Sequence, residues 1–218
     1  MFKAVLFDVD GVLINSPPVH IASWHLILEP FGVRINEREI HLFEGRKALP
    51  VLQSILAQNG VTADQEVLDE AIRQKRAYFQ SHMKPGLTES ALLAVRQLRE
   101  LGVLVSAVSG STKANLHKMI LPDQQLLFTA IFGAEDYEHS KPHPEPYLKA
   151  CERLNLTPSE CLVVENAPLG IESAKSAGIV VVALLSTLPR EDLGGADYYI
   201  SSLSELPLLV KGVFESKK

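Results

Sequence analysis

The fold is decided by the stretch Lys3-Ala4-Val5-Leu6-Phe7-Asp8-Val9-Asp10-Gly11-Val12-Leu13, close to the start of the chain. Residues 4–7 are an apolar run, which predicts a short strand buried on both faces of a parallel sheet. The run ends at two carboxylates, Asp8 and Asp10, where open α/β sheets bind their ligands. Strand alternation points both carboxylates the same way, which favours a bound cation or a shared proton. Gly11 lets the backbone turn tightly there, although solvated acids before a turn are the simpler alternative.

Composition limits the classes of function. The chain has 218 residues, of which 46% are hydrophobic and 22% charged, as in an ordinary globular protein. A net charge of -5 and the absence of a basic run argue against nucleic acid or an anionic membrane as the partner. The apolar start is too short for a signal peptide or a membrane span. Cys151 and Cys161 lack the spacing of metal ligands, which predicts reduced thiols in a cytoplasmic protein, with a disulfide between them as the alternative.

A helical segment interrupts the chain after the first strand. Pro17-Pro18 break the chain, a helical pattern follows over residues 19–31, and further helical patterns continue to residue 83. Pro85-Gly86 marks the end of this segment. The pattern therefore predicts a four-helix insertion over residues 15–83, flanked by residues 1–14 and 84–218 of one core domain.

The rest of the chain alternates strands with helices. The expected strands are residues 103–108, 130–132, 161–164, 179–184 and 198–200. Such alternation is typical of an α/β fold with a doubly wound, Rossmann-like parallel sheet covered by helices on both faces.

Polar residues follow several of these strands. Ser109 follows the second strand, Glu165 and Asn166 follow a later one, and Lys141 lies in a loop between turn-forming residues. A parallel sheet brings these groups to the edge where Asp8 and Asp10 lie. The combination of a carboxylate nucleophile, a cation site, a hydroxyl donor and a fixed ammonium is what phosphoryl transfer requires.

Four motifs in order resemble the haloacid dehalogenase superfamily, in its phosphatase and phosphomutase branch. They are Asp8-Val9-Asp10-Gly11-Val12-Leu13, Ser109, Lys141-Pro142, and Val163-Val164-Glu165-Asn166 followed by Gly170-Ile171. The resemblance covers essentially the whole chain, and the helical insertion is similar to the C1-type cap of that superfamily. Dehalogenases need neither the second aspartate nor Mg2+, so Asp10 favours phosphate chemistry.

The resemblance implies a role for each matching residue. Asp8 would be the nucleophile that forms an aspartyl phosphate, and Asp10 the acid and base. Mg2+ would be held by Asp8, the Asp10 carbonyl, Glu165 and Asn166. Ser109 would hydrogen-bond the phosphoryl group, and Lys141 would neutralise charge on it and on Asp8.

The loop after the second strand and the Asp10 turn add candidate phosphate ligands. Gly11, Gly110 and Ser111 are expected to bring backbone N–H groups close to the phosphate. For Ser111, ordinary capping of the following helix is an equally good interpretation.

The fourth motif departs from the family pattern. Where the family usually has a second acid, this chain has Asn166. The amide keeps an oxygen but removes one negative charge, so Mg2+ is expected to bind more weakly, with Glu165 supplying charge directly or through water.

Candidate substrate ligands in the insertion are His20, Arg46 and Lys47. His20 and Trp24 lie four residues apart, and the opening residues resemble β-phosphoglucomutases; packing between helices is the alternative for both. Where those mutases carry a lysine before glycine, this chain has Glu44-Gly45-Arg46-Lys47. Since a mutase must grip a second phosphate, this change favours a hydrolase.

The sequence therefore predicts a Mg2+-dependent phosphatase that acts on a small phosphorylated metabolite, with sugar phosphates as the leading class. A β-phosphoglucomutase-like mutase is the alternative reaction, and a non-catalytic phosphate-binding or regulatory protein is the alternative of another class. Neither nucleic acid nor membrane is an expected partner. The sequence leaves the oligomeric state open and is compatible with a monomer.

Overall fold

The computed structural model describes residues 2–216, with side chains up to residue 212. The chain forms two compact units, Met1–Asn15 with Pro85–Lys218, and Ser16–Lys84. The boundaries lie one residue later than those expected from the sequence. Within the described residues, no helix is both long and apolar enough to cross a membrane.

The first unit is built on a sheet whose strands are all parallel. Its six strands in the described part of the chain are β1 (Ala4–Phe7), β2 (Leu104–Val108), β3 (Ala130–Phe132), β4 (Cys161–Glu165), β5 (Val180–Leu184) and β6 (Tyr198–Ile200). They lie in the order β3-β2-β1-β4-β5-β6, so the direction of winding reverses between β1 and β4. The expected doubly wound, Rossmann-like α/β fold is confirmed, and this switch point is where such sheets bind ligands.

α-Helices lie between successive strands from β1 to β5, as parallel pairing requires a crossover connection. Between β5 and β6, a segment that the structure describes in full, the chain forms only a 3-10 turn, Arg190–Asp192. The α-helices of the second unit are α1 (Pro17–Leu28), α2 (Glu37–Leu42), α3 (Ala48–Gln58) and α4 (Gln65–His82). Those of the first unit are α5 (Glu89–Glu100), α6 (Lys113–Met119), α7 (Pro122–Gln125), α8 (Glu145–Arg153), α9 (Pro168–Ser176) and α10 (Leu206–Ser216). The single-turn helix α7 is not predicted by the hydrophobic pattern of the sequence.

The central strands of the sheet supply many of the most deeply buried residues of the first unit. All four residues of β1 are completely buried, as is the apolar run of β4, which is why these strands read as unbroken hydrophobic segments. Cys151 and Cys161 are free buried thiols with their sulfurs 3.5 Å apart.

The helical unit has its own apolar core. Its most deeply buried members include Ile27 and Leu28 of α1 and Leu52 and Ile55 of α3. Each such side chain contributes about 1.5–3 kcal/mol when it leaves water. Gly32, with φ of 67°, ends the first helical segment in the left-handed conformation that glycine adopts without strain.

Candidate active site

The candidate site lies at the carboxyl edge of the sheet, where β1, β2 and β4 end side by side. Asp8 directly follows β1, and its N–H donates to the Val164 carbonyl at 3.0 Å, which extends the pairing with β4. Glu165 is the last residue of β4, and Ser109 directly follows β2. Parallel registry therefore brings the polar residues of three separate motifs to one place.

Lys141 is the buried centre of this edge. Its ammonium donates to Asp8 Oδ1 at 2.6 Å, to Glu165 Oε1 at 2.6 Å and to the Val108 carbonyl at 3.3 Å. These three acceptors match the three protons of an ammonium group. Because the side chain of Lys141 is only 6% exposed, it is a fixed charge rather than a mobile surface lysine.

Glu165 is saturated with hydrogen bonds. Oε1 accepts from Lys141 and from the Tyr147 hydroxyl at 2.7 Å, and Oε2 accepts from the N–H groups of Asn166 at 3.0 Å and Ala167 at 3.3 Å. A carboxylate offers about four lone-pair positions, so this geometry favours Glu165 as the counter-ion of Lys141 over Glu165 as a direct metal ligand. A Cβ on Gly170 would overlap the Glu165 carboxylate, which explains the glycine in the fourth motif.

Charge in the cluster is unbalanced. Burial raises the pKa of Asp8 well above its usual range; Lys141 opposes this, and the carboxylates of Glu165 and Asp10 add to it. For Lys141, burial alone would lower the pKa, but Asp8 and Glu165 outweigh it and hold the pKa well above the usual value. When ionised, Asp8 and Glu165 place two carboxylates on the one Lys141 ammonium, and a divalent cation would neutralise the excess.

Asn166 carries a buried side-chain oxygen without a hydrogen-bond partner among the atoms that the structure describes. The residue is 1% exposed, and this oxygen is Oδ1. Its Nδ2 donates to Thr187 Oγ1 at 3.1 Å, while the Thr187 hydroxyl donates to the Asn166 carbonyl at 3.3 Å. Since the hydroxyl has a single proton, it must accept from the side-chain amide, and this assigns Nδ2 to Thr187 and leaves Oδ1 free.

The hydroxyl of Ser109 is placed to donate. Its Oγ accepts from the Ser111 N–H at 3.1 Å, and the residue is 1% exposed. Within the described part of the chain this is its only side-chain hydrogen bond, so the hydroxyl proton is available to a ligand. A Cβ on Gly110, which lies between them, would meet no atom within 4 Å, so the turn here is open.

The turn after β1 uses Gly11, whose φ is 74°. Its N–H donates to the Ile14 carbonyl at 2.9 Å, and its carbonyl accepts from the Ser186 hydroxyl at 2.7 Å. The segment after β5 therefore contacts both the Asp10 turn, through Ser186, and Asn166, through Thr187.

The expected residues divide into two groups. Those of the first unit converge on one edge: Asp8, Asp10, Gly11, Ser109, Gly110, Ser111, Lys141, Glu165 and Asn166. The other three belong to the helical unit. His20 stacks on Phe79 with ring centroids 4.3 Å apart, and Arg46 and Lys47 are exposed between α2 and α3. Their use in substrate binding stays a prediction.

Glu44 has a structural partner inside the helical unit. Its carboxylate lies 3.0 Å from His41 Nδ1, and both side chains are largely buried. The acid that replaces the mutase lysine therefore forms a contact within its own unit.

Sequence reasoning missed Tyr147 and Thr187 and gave Gly170 no role. Thr187 carried a usable signal, because Ser186-Thr187 come shortly after the apolar strand β5, separated from its end by one residue. Tyr147 carried none, since it lies inside α8 and reads as a core aromatic.

The donor set fits a hard divalent cation. The Asp8 carboxylate and the unpartnered Asn166 Oδ1 are oxygen ligands of the kind that Mg2+ takes, usually with several waters. A buried acceptor without a partner costs free energy unless something satisfies it, so the orphaned amide oxygen supports a cation at this position.

Comparison with known proteins agrees with this geometry. The family model described as haloacid dehalogenase-like hydrolase matches residues 5–184. The chain is 31% identical over 209 residues to validoxylamine A 7'-phosphate phosphatase of Streptomyces hygroscopicus subsp. limoneus, covering 94% of this chain and 96% of that protein. It is also 31% identical over 183 residues to a phosphorylated carbohydrates phosphatase of Thermotoga maritima, covering 81% and 82% of the two chains.

Among solved structures, a putative β-phosphoglucomutase from Bacteroides vulgatus superposes with a TM-score of 0.80 at 29% identity, covering 98% of this chain and 89% of that one. The family match and the phosphatase relatives identify an enzyme of the phosphoric monoester hydrolase class. The chain belongs to the haloacid dehalogenase-like hydrolase family, in its β-phosphoglucomutase-like branch.

Proposed function

We propose that the protein is a Mg2+-dependent phosphatase that hydrolyses a small phosphomonoester through an aspartyl phosphate on Asp8. One observation carries the proposal above the others. The buried cluster of Asp8, Lys141 and Glu165 lies beside the unpartnered oxygen of Asn166. This arrangement combines an anchored carboxylate, a fixed positive charge and a cation ligand.

In the first step, a carboxylate oxygen of Asp8 attacks phosphorus while the bond from phosphorus to the ester oxygen breaks. Asp10, in its protonated form, gives its proton to the departing oxygen, so that the alcohol leaves neutral. Lys141 holds the Asp8 carboxylate in one orientation through the 2.6 Å bond to Oδ1, which lowers the cost of alignment in the transition state.

In the second step, Asp10 accepts a proton from water as the water oxygen attacks the aspartyl phosphate. The bond from phosphorus to the Asp8 oxygen breaks, inorganic phosphate leaves, and Asp8 is again a carboxylate. The Ser109 hydroxyl and the Gly110 N–H donate hydrogen bonds to the phosphoryl oxygens. The N–H groups of Gly11 and Ser111 already donate to the Ile14 carbonyl and to Ser109 Oγ, so these two residues contribute by shaping the turns.

Asp8, the backbone carbonyl of Asp10 and Asn166 Oδ1 would hold the Mg2+. When bound, the cation supplies charge neutralisation for the phosphoryl group. Glu165 contributes by fixing Lys141 and by its charge, because its oxygens are already occupied. Thr187 engages the NH2 group of Asn166, which would leave Oδ1 available to the cation.

Sugar phosphates are the proposed substrate class. The support is the relative from Thermotoga maritima, which is named as a phosphatase of phosphorylated carbohydrates. We assign selection of the substrate to the helical unit, acting as a cap that excludes water, with His20, Arg46 and Lys47 as candidate ligands.

A mutase is the second candidate, because the Bacteroides vulgatus protein is described as a putative β-phosphoglucomutase. Against it stands Glu44, whose carboxylate pairs with His41 instead of offering a positive charge to a second phosphate.

The test is phosphate release from a panel of sugar phosphates, with Mg2+ and with EDTA, in the wild type and in Asp8→Asn. The panel includes β-glucose 1-phosphate with a bisphosphate primer, and glucose 6-phosphate is followed in parallel. Mg2+-dependent release that disappears in Asp8→Asn is the expected result. Formation of glucose 6-phosphate without net release would establish the mutase, and turnover of neither kind would leave the non-catalytic phosphate-binding protein.

A further inference from the structure

A second cluster of metal-binding side chains lies on the outer side of the Lys141 loop. His139, His143 and Glu145 each offer a ligand atom, and these atoms lie within 4.8 Å of one another. Both histidines are exposed, and their rings lie 4.6 Å apart. Nothing in the phosphatase mechanism uses these three residues.

The distances in this cluster are close to those that a metal ion needs. His139 Nδ1 lies 2.8 Å from Glu145 Oε2, and His143 Nδ1 lies 3.9 Å from the same oxygen. Ligands that bind Zn2+ tetrahedrally at about 2.0–2.1 Å are separated by about 3.4 Å. The distance from His139 Nδ1 to Glu145 Oε2 must therefore lengthen, and the distance from His143 Nδ1 to the same oxygen must shorten, each by about half an ångström. Rotation of the two exposed histidine side chains can provide these changes.

The ligand atoms already form hydrogen bonds with one another or with the adjoining backbone, and a metal ion would replace these bonds. Glu145 accepts hydrogen bonds from the N–H groups of Glu138 and His139 and from the His139 ring, whose Nδ1 would release its proton on binding a metal ion. The Nδ1 of His143 is a hydrogen-bond acceptor, since the Glu145 N–H donates to it at 3.2 Å. Its lone pair therefore points at the Glu145 N–H, and a metal ion would take the place of that donor.

We propose that His139, His143 and Glu145 form a surface site for a divalent transition-metal ion of the Zn2+ class, distinct from the proposed Mg2+ position. Two imidazoles and one carboxylate form the ligand set of open zinc sites, in which water completes the coordination. The nitrogen ligands select against Mg2+, which prefers oxygen.

The site brackets Lys141. His139 lies two residues before Lys141 and His143 lies two residues after it. A metal ion bound to both histidines would therefore link the two ends of the loop that carries Lys141. Ligand atoms that now rest on hydrogen bonds would be held by metal–ligand bonds, and the loop that positions Lys141 would be stiffened from outside the active site.

Zinc titration by calorimetry, in the presence of saturating Mg2+, tests the proposal. Visible absorption of bound Co2+ gives a second readout, which reports nitrogen coordination without reference to activity. The variants are His143→Ala and Glu145→Gln, and the matched control is His117→Ala, another exposed histidine of the same unit. Asp8→Asn identifies any zinc bound in the catalytic site.

We expect one zinc step that persists in His117→Ala and in Asp8→Asn. Loss of a group behind a metal ligand costs about 10–100-fold in affinity, so loss of a ligand in His143→Ala or Glu145→Gln should weaken this step by about tenfold or more. A wild type without a zinc step overturns the proposal, and so does a step that is lost in Asp8→Asn but unchanged in His143→Ala. Because Asp8→Asn abolishes the proposed phosphatase and spares this site, the two proposals fail separately.

Discussion

Two charged clusters share the segment from His139 to Glu145, one on each side of the loop. On the inner side, Lys141 bonds Asp8 and Glu165, and these side chains are 6%, 13% and 1% exposed. On the outer side, Glu145 pairs with His139, and their side chains are 17% and 62% exposed. The contact distances in the two clusters are similar, but the cationic partner is buried in the inner cluster, whereas the histidine of the outer cluster is exposed to solvent.

The comparison shows that burial, rather than the number of ion pairs, decides what each cluster does. Exposed pairs contribute little to stability because water and salt screen them. Buried charges depend on one another, because the loss of one partner leaves the other without solvation. The inner cluster is therefore held in one geometry and suits catalysis, whereas the outer one is free to rearrange around a ligand.

Lys141→Met breaks the inner cluster and has the largest expected effect. It leaves two buried carboxylates without their counter-charge, and loss of one member of such a pair costs about 3–5 kcal/mol of the free energy of unfolding. Phosphate release should fall by about 100- to 1,000-fold, as when a preorganised donor is removed. Chemical denaturation and the phosphate assay measure the two effects.

Two further variants sharpen this result. Lys141→Met/Glu165→Gln removes one charge of each sign and should recover part of the lost stability, as a double-mutant cycle would report. Glu145→Gln, in the outer cluster, keeps one oxygen that can accept from the N–H groups of Glu138 and His139, and should lower the stability by much less than Lys141→Met. A loss in Glu145→Gln as large as that in Lys141→Met would contradict the distinction between the clusters.

Gly170→Ala attacks the inner cluster through its packing. The new methyl group overlaps the Glu165 carboxylate, so Glu165 must move away from Lys141 and Tyr147. Overpacking of this kind costs about 1–3 kcal/mol, and activity should fall with it. Gly194→Ala is the matched control, because a Cβ there meets no atom within 4 Å; equal effects of the two substitutions would show that Glu165 is not displaced.

Much of the catalytic edge could be predicted from the sequence, because it follows from the strand pattern. Apolar runs that end in Asp8, Ser109 or Glu165 predict strands, and parallel strands place their carboxyl ends together. Side-chain geometry within that edge could not be predicted in the same way. The contact between Tyr147 and Glu165 joins a helix to a strand 18 residues away, and no local pattern encodes it.

The outer cluster and Asn166 illustrate the same limit. His143 reads as a loop residue, because its proximity to His139 and Glu145 depends on how the backbone turns around Pro142 and Pro144. For Asn166, the sequence indicates that a negative charge is lost. Its amide oxygen is left without a partner because the NH2 group bonds Thr187, which lies 21 residues later. Distant partners therefore decide features that motifs leave open.

Thr187→Val tests whether this distant partner matters. Valine keeps the shape of the side chain but removes the hydroxyl, so the Asn166 amide can rotate and turn its NH2 group toward the cation. Groups behind metal ligands are worth about 10–100-fold in affinity, and we expect the Mg2+ dissociation constant to rise by about tenfold in calorimetry. Thr187→Ser, which keeps the hydroxyl, should bind Mg2+ like the wild type; equal weakening in both variants would point to packing instead.

Tyr137→Phe tests a side chain whose burial lies between that of the inner and outer clusters, and it has the smallest expected effect. The half-buried Tyr137 hydroxyl donates to the Ser109 carbonyl at 2.7 Å, and one such bond is worth about 1 kcal/mol of the free energy of unfolding. Burial raises the pKa of Tyr137 to about 12, above the value of about 10 for an unfolded tyrosine.

The neutral Tyr137 hydroxyl stabilises the folded protein fully at pH values below the pKa of an unfolded tyrosine. This stabilisation is lost as the pH rises from that value through the higher pKa of Tyr137 in the folded protein. The difference in unfolding free energy between the wild type and Tyr137→Phe should therefore stay constant below about pH 10 and shrink above it. Denaturation at a series of pH values measures this, with the exposed Tyr198→Phe as the control. If the difference were absent at neutral pH, the hydroxyl would not hold the Ser109 backbone, and Ser109 would owe its position to the strand alone.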